Sequence, residues 1–339
     1  MLPQPTGQAN WKASRGSRFF STMFPRAGVT IVNDEDLAAG VRAGDRRALA
    51  RALTTVENRR PQARRLVAEL YPHTGKAAVW GLTGPPGVGK STLADAIATH
   101  ALGKGHKVAI LAIDPSSPFT GGAFLGDRTR MEGSSQSSEI FIRSMATRGH
   151  VGGLAAAVFE AITLLDAAGR DLILVETVGV GQDEVEVAAA VGLTLVVLAP
   201  GQGDELQANK AGLLEIADVL VVNKADREGA DRLADELASA HRGATRSPAI
   251  VSTVATTGDG VDRLYETVVG LDASPETRRR RFVEGWLREV LQQTLRENVR
   301  GRVWKAAVDS VLSRATDPFA AAGRVFASIR DAGGKDDDT

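Results

Sequence analysis

The sequence predicts an α/β fold: a mostly parallel sheet flanked by helices, with helical extensions before and after it. Three observations carry that expectation. From Ala77 to Leu271, short apolar runs alternate with segments of helical spacing. The runs are continuously apolar rather than alternating, as in strands covered on both faces, and such strands belong to parallel sheets. The first run leads straight into "GPPGVGKST" (84–92), a glycine-rich loop that opens a helix.

Taken in order, residues 34–70 read as helical. Leu37, Val41, Leu49, Leu53 and Val56 recur at helical spacing, and Leu66, Val67 and Leu70 form a second stripe after Pro61. Strands are expected at 77–83, 107–113, 139–145, 171–177, 193–199, 218–224 and 248–253. Ligands in such a sheet bind beyond the C-terminal strand ends, where every polar motif described below falls. After Pro275 a long helix carries Phe282, Val283, Trp286, Leu287, Val290, Leu291 and Leu295 on one face, and a further helix after Gly301 carries Trp304, Val308, Val311 and Leu312. The expected divisions are a disordered extension over 1–33, a helical segment over 34–75, a nucleotide-binding domain over 76–272, a C-terminal helical dimerisation segment over 273–330 and a disordered acidic tail over 331–339.

Composition narrows the function. The chain of 339 residues balances 41 Lys+Arg against 41 Asp+Glu, which argues against broad electrostatic binding of nucleic acid. It contains no cysteine, which excludes disulfides, thiolate metal sites and cysteine catalysis and suits an intracellular protein. No apolar run approaches the length of a membrane span. The first 33 residues hold Lys12, Arg15, Arg18 and Arg26 and no acid. A cytoplasmic setting is expected, with a mitochondrial one as the alternative if residues 1–33 are a transit peptide.

The chemistry starts at Gly84. Glycines there can fold backbone N–H groups around an anion, and the following helix adds its positive dipole end. Gly84-x4-Gly89-Lys90-Ser91 satisfies the Walker A pattern, in which Lys90 reaches the outer phosphates and Ser91 ligates Mg2+. The phosphate loop comprises Gly84, Pro85, Pro86, Gly87, Val88, Gly89, Lys90, Ser91 and Thr92. "NKAD" (223–226) ends another strand. A carboxylate at Asp226 can accept from guanine N1–H and its 2-amino group together, the stem of Lys224 can cover the base, and Asn223 can tie this loop to the phosphate loop. Adenine would leave that carboxylate unpaired. As a lone tetrapeptide the same residues would make a polar turn capped by Asp226.

"ILVETVGVGQ" (173–182) puts Glu176 where a Walker B acid holds Mg2+ or its water. Val180 stands after Gly179, where many small GTPases carry a water-orienting glutamine, so slow unaided hydrolysis is expected; Gln182 lies two places further on. The polar loop 114–131 offers Asp114 and Asp127 as magnesium or water contacts, and loops this long are usually functional. A second polar loop, 200–210, opens a helix with Asp204 near its N-cap.

These motifs, in this order, resemble the MeaB/ArgK family, GTPases associated with adenosylcobalamin-dependent methylmalonyl-CoA mutase that include the methylmalonic aciduria type A proteins. The similarity covers about residues 35–270. It implies a SIMIBI-class P-loop NTPase that binds GTP/GDP with Mg2+, forms a homodimer, and gates cofactor loading onto a mutase while protecting it from inactivation. It also implies a catalytic set of Lys90, Glu176 and Asp127, a metal set of Ser91, Asp114, Asp127 and Glu176, and a guanine loop at Val254, Ala255 and Thr256, with the Ala255 N–H facing guanine O6. Asp204, Glu205 and Lys210 match the loop that senses the mutase, and the cobalamin adenosyltransferase is a further candidate partner. "QANKAGL" differs from the family's usual "QGIKKG", so the mutase could act on methylmalonyl-CoA or on another acyl-CoA, such as a 2-hydroxyisobutyryl thioester. Two other classes compete: a metallochaperone GTPase of the same fold, against which five scattered histidines and no cysteine argue, and a small-molecule kinase.

Overall fold

The computed structural model of the chain describes residues 34–114, 139–146, 154–177, 190–201, 214–242, 247–271, 275–299 and 301–333. The expectations for 1–33 and 334–339 lie outside these residues. The expected helical stretch 34–70 is three helices: α1 (Asp34–Arg42), α2 (Arg46–Glu57) and α3 (Ala63–Leu70). Gly44, at φ 75°, turns the chain out of α1. Asp45 then caps α2 by accepting from the N–H groups of Arg47 and Ala48 at 2.7 and 2.8 Å, and these bonds hold its carboxyl below the usual range.

All seven expected strands form, each within one or two residues of its expected ends: β1 (Ala78–Thr83), β2 (Val108–Asp114), β3 (Ile140–Ala146), β4 (Leu172–Thr177), β5 (Leu193–Leu198), β6 (Val219–Asn223) and β7 (Ala249–Thr253). They make one sheet in the order β3-β2-β4-β1-β5-β6-β7, with every neighbouring pair parallel. β1 lies at the centre, and the chain passes from one side of it to the other between β4 and β5. That switch opens the crevice where ligands bind.

Alternate side chains of each strand feed two cores. Ile173 and Val175 meet α1–α3 and α5 (Leu154–Ala167), whereas Trp80, Leu82, Leu172 and Leu174 meet α4 (Lys90–Gly103) and α7 (Val261–Leu271). A third cluster joins Val196, Leu198, Leu220 and Val222 to α6 (Ala230–Ala240). The helical stripe Leu37, Val41, Leu49, Leu53, Val56, Leu66, Val67 and Leu70 is buried in the first of these cores.

At the C-terminal end come α8 (Pro275–Asn298), α9 (Arg302–Leu312) and α10 (Pro318–Gly333). The last runs three residues past the expected start of the tail. The apolar stripe of α8, expected as part of a dimerisation segment, divides in two. Phe282 and Trp286 pack against the chain's own core, with Trp286 stacked on Phe159 at 6.1 Å and edge-on to Tyr71 at 5.7 Å. Leu287, Val290, Leu291 and Leu295 remain exposed. Helical spacing reveals an apolar face but not what covers it, and here the turns that carry Phe282 and Trp286 reach Phe159 of α5. Among the described residues no helix is long and apolar enough to cross a membrane.

Candidate functional site

The phosphate loop links β1 to α4 and is held against two neighbours. Gly84 sits at φ 137°, and a Cβ there would lie 2.1 Å from the Val197 carbonyl oxygen of β5. Gly89, at φ 95°, would bring a Cβ to 2.6 Å from Asn223 Nδ2. Both ends of the Gly-x4-Gly spacing are therefore demanded by backbone conformation and by close approach together. Lys90 is buried at 6 % exposure, and its ammonium donates to the Gly84 and Pro85 carbonyls at 2.6 and 2.9 Å. The cation thus lies inside the curl of its own loop. Pro86 and Gly87 are exposed at the tip, Val88 is buried beneath it, and Thr92 is half-buried in the first turn of α4.

Beside the loop, β4 pairs with β1 so that Glu176 faces Leu82 in register. Ser91 Oγ donates to Glu176 Oε1 at 2.5 Å, and Glu176 is 5 % exposed. Thr177 Oγ1 donates to Thr83 Oγ1 at 3.1 Å, joining the ends of the same two strands. An alcohol and a carboxylate at a helix N-terminus form an oxygen-only donor pair, which suits a hard cation such as Mg2+. Asp114 ends β2, one residue past the Ile113–Thr177 pair, so its backbone borders this crevice.

The base-reading strands are stapled to the loop by Asn223. Its Nδ2 donates to the Val88 carbonyl at 2.8 Å, while its Oδ1 accepts from Thr253 Oγ1 and from the Ala255 N–H, both at 3.1 Å. One buried amide therefore connects β6, β7 and the phosphate loop. The Ala255 N–H, which the resemblance aims at guanine, is engaged by Asn223 in this structure. Lys224, in the left-handed region at φ 59°, donates to the Gly87 carbonyl at 2.6 Å. Its stem passes beside the phosphate loop. Asp226 is exposed in the turn that follows, and Val254 opens a second turn by donating to Asp259 O at 2.9 Å, with Thr256 exposed within it.

The structure thus gathers the phosphate loop, Glu176, Asn223, Lys224 and residues 253–256 along one edge of the sheet. Asp127, Asp204, Glu205 and Lys210 lie outside the described residues, as do Gly179, Val180 and Gln182. Sequence reading missed a supporting clamp. Asp166 accepts from the N–H groups of Gly75, Lys76 and Ala77 at 2.6, 3.2 and 3.2 Å, fixing the segment that enters β1. A signal was present, because an acid in the last turn of a helix opposes the helix dipole and needs another task.

Comparison with known proteins adds lineage to geometry. The family model described as methylmalonyl Co-A mutase-associated GTPase MeaB matches residues 49–306. A Pyrococcus abyssi protein named as a GTPase is 41% identical over 312 residues, spanning 87% of this chain and 96% of its own. The mouse protein named methylmalonic aciduria type A homolog, mitochondrial, is 37% identical over 254 residues, covering 68% of this chain and 61% of its own. A crystal structure described as LAO/AO transport system kinase superposes with a TM-score of 0.67 at 25% identity, over 91% of this chain and 100% of that one. The central β1 and its phosphate loop, in an all-parallel sheet, have the SIMIBI-class P-loop architecture. With its phosphate loop, its strand-end acid and these relatives, the chain belongs to the MeaB family of methylmalonyl-CoA mutase-associated GTPases and is itself a GTPase.

Proposed function

We propose that this GTPase gates adenosylcobalamin loading onto a cobalamin-dependent acyl-CoA mutase and protects that mutase from inactivation. The partner is methylmalonyl-CoA mutase or a close relative such as a 2-hydroxyisobutyryl-CoA mutase. The observation that carries the reading is the Ser91–Glu176 contact beside a phosphate loop that Asn223 staples to the "NKAD" turn. Support for the mutase comes from the family's description and from the mouse relative's name.

In this reading Lys90 exchanges the Gly84 and Pro85 carbonyls for the outer phosphates of GTP, trading neutral acceptors for charged ones. Ser91 would ligate Mg2+, and Glu176, with Asp114 and Asp127, would help to hold it. The ion supplies charge neutralisation for phosphoryl transfer when bound. Asp226 accepts from the guanine edge, the Lys224 stem covers the ring, and residues 254–256 close over it. Val180, where a water-orienting glutamine is common, makes unaided hydrolysis slow. Loops 114–131 and 200–210 then report nucleotide state to the mutase, with Asp204, Glu205 and Lys210 as coupling residues. The molecule acts as a homodimer, and the cobalamin adenosyltransferase is a second partner.

The test is GTP turnover with and without the purified mutase encoded nearby, together with cofactor transfer in the GTP and GDP states. Turnover should rise about tenfold or more with the mutase, since ordering of catalytic groups by a partner is worth orders of magnitude. Replacing Asp204, Glu205 and Lys210 together should abolish that rise and spare the intrinsic rate. No stimulation, with cofactor transfer indifferent to nucleotide, would sink the proposal.

A further inference from the structure

A cavity of about 340 Å3 shares no lining residue with the nucleotide site. Its polar lining is Arg59, Arg60 and Arg64 from the α2–α3 connection and the start of α3, Glu160 from α5, and Gln293 from α8. Three guanidiniums therefore face one carboxylate, and the remaining walls are proline and alanine. The volume lies near the lower end of small-molecule pockets, roughly 300–1,000 Å3.

Two features of the chain path go against ordinary preference here. Arg59 occupies the left-handed region at φ 48°, where glycine or asparagine is usual. The turn is closed by Arg59 N–H to Val56 O at 2.9 Å and Arg60 N–H to Thr55 O at 3.1 Å, and it presents consecutive arginines to the cavity. Arg64 is the second residue of α3, an eight-residue helix whose first turn contains no acid and whose N-cap, Gln62, makes no side-chain capping bond. A cation at that end faces the positive pole of the helix. An anion between the arginines and the α3 N-terminus would offset the like charges of guanidinium and helix pole.

We propose that this cavity is a second ligand site, which binds the phosphate-type oxyanion of a phosphorylated small molecule through Arg59, Arg60 and Arg64, with Glu160 in its protonated form donating to the anion. Burial supports the last part, raising the Glu160 carboxyl to about 7 against the pull of Arg59 and Arg64. Among the described residues, the charged groups acting on Glu160 are Arg59 and Arg64; α8 contributes the neutral Gln293, and the other α5 residues of the lining are Ala156 and Ala157. As pH rises through 7, Glu160 ionises and repels the anion. Between pH 6 and pH 8 its neutral fraction falls about tenfold for a group titrating at about 7. Affinity should fall by the same factor.

Sulfate is the probe, since it is a tetrahedral dianion that does not titrate in this range. The full chain, saturated with Mg2+ and a non-hydrolysable GTP analogue so that the phosphate loop is filled, is titrated calorimetrically at pH 6 and pH 8. Binding should appear at pH 6 and weaken about tenfold at pH 8. The double variant Arg59→Gly, Arg60→Ser keeps the turn geometry and should lose at least tenfold in affinity at pH 6. Glu160→Gln should bind at both pH values with the pH dependence gone. No binding by the filled wild-type protein, or undiminished binding by the arginine double variant, overturns the site. An unchanged pH dependence in Glu160→Gln overturns the part given to Glu160.

Discussion

Asn223 shows how much of the site rests on one side chain. It is 2% exposed, and both ends of its amide are used: Nδ2 on the phosphate loop, Oδ1 on β7 and the turn beyond. Its neighbour Asp226, by contrast, is exposed and carries no structural bond in the described residues, which is what a ligand-reading carboxylate needs. Asp226→Asn should therefore leave folding intact. The amide would present a donor to guanine N1–H, so GTP affinity should drop by about 100-fold or more, while xanthosine triphosphate, with an acceptor at the ring's 2-position, should gain. Competition binding of the two nucleotides measures this directly. An Asp226→Asn variant that still prefers GTP would remove this position from the base site.

At the scale of elements, the sheet delivers the site because its central strands are tied down behind it. Asp166 links the end of α5 to the strand carrying the phosphate loop, and Arg281 of α8 donates to the Gly192 carbonyl at 3.1 Å just before β5. Gly192 in turn donates to Val79 of β1 at 2.9 Å. Asp166→Ala would strip three backbone amides of their acceptor at a buried position. Hydrogen bonds to charged groups contribute about 1.5–3 kcal/mol each, with losses less than additive, so a decrease of roughly 3 kcal/mol is expected. Urea denaturation followed by tryptophan fluorescence would register it. The phosphate loop itself is untouched, so GTP affinity at low denaturant should stay within about twofold of wild type.

At the scale of the whole molecule, the exposed large apolar side chains among the described residues are concentrated at the C-terminal end. Leu287, Leu291 and Leu295 on α8, Trp304 and Leu312 on α9, and Phe319 and Phe326 on α10 are all exposed, Phe319 by 89%. Within this region α10 buries Ala321 and Val325, and Arg324 reaches Ser310 of α9 at 3.4 Å. Apolar area on this scale ordinarily marks an interface. A second copy of the chain is the proposed occupant. Leu291→Glu combined with Leu312→Glu places charge on surfaces that are already solvated, so the fold should hold while a dimer becomes a monomer by light scattering. A dimer that survives both substitutions must be built elsewhere.

By itself the sequence determined the strands, the phosphate loop and the family resemblance, and the reason is local. A strand buried on both faces must be apolar along its length, and a phosphate loop needs glycine where the chain turns left-handed, so both leave marks in neighbouring residues. What the tertiary structure alone decided depends on residues far apart in the chain. Ser91 and Glu176 are 85 positions apart, and Asn223 and Val88 are 135 apart; only the β1–β4 pairing and the approach of β6 bring each pair together. The same holds for α8, whose apolar stripe was legible although its division was not. Periodicity says that Trp286 and Leu291 need cover, and only the packing of α8 on α5 says that Trp286 finds it within its own chain. Arg59, Arg60 and Arg64 lie 96 to 101 positions before Glu160 in the chain. They become a cavity because α3, α5 and α8 converge there, and no local pattern encodes that convergence.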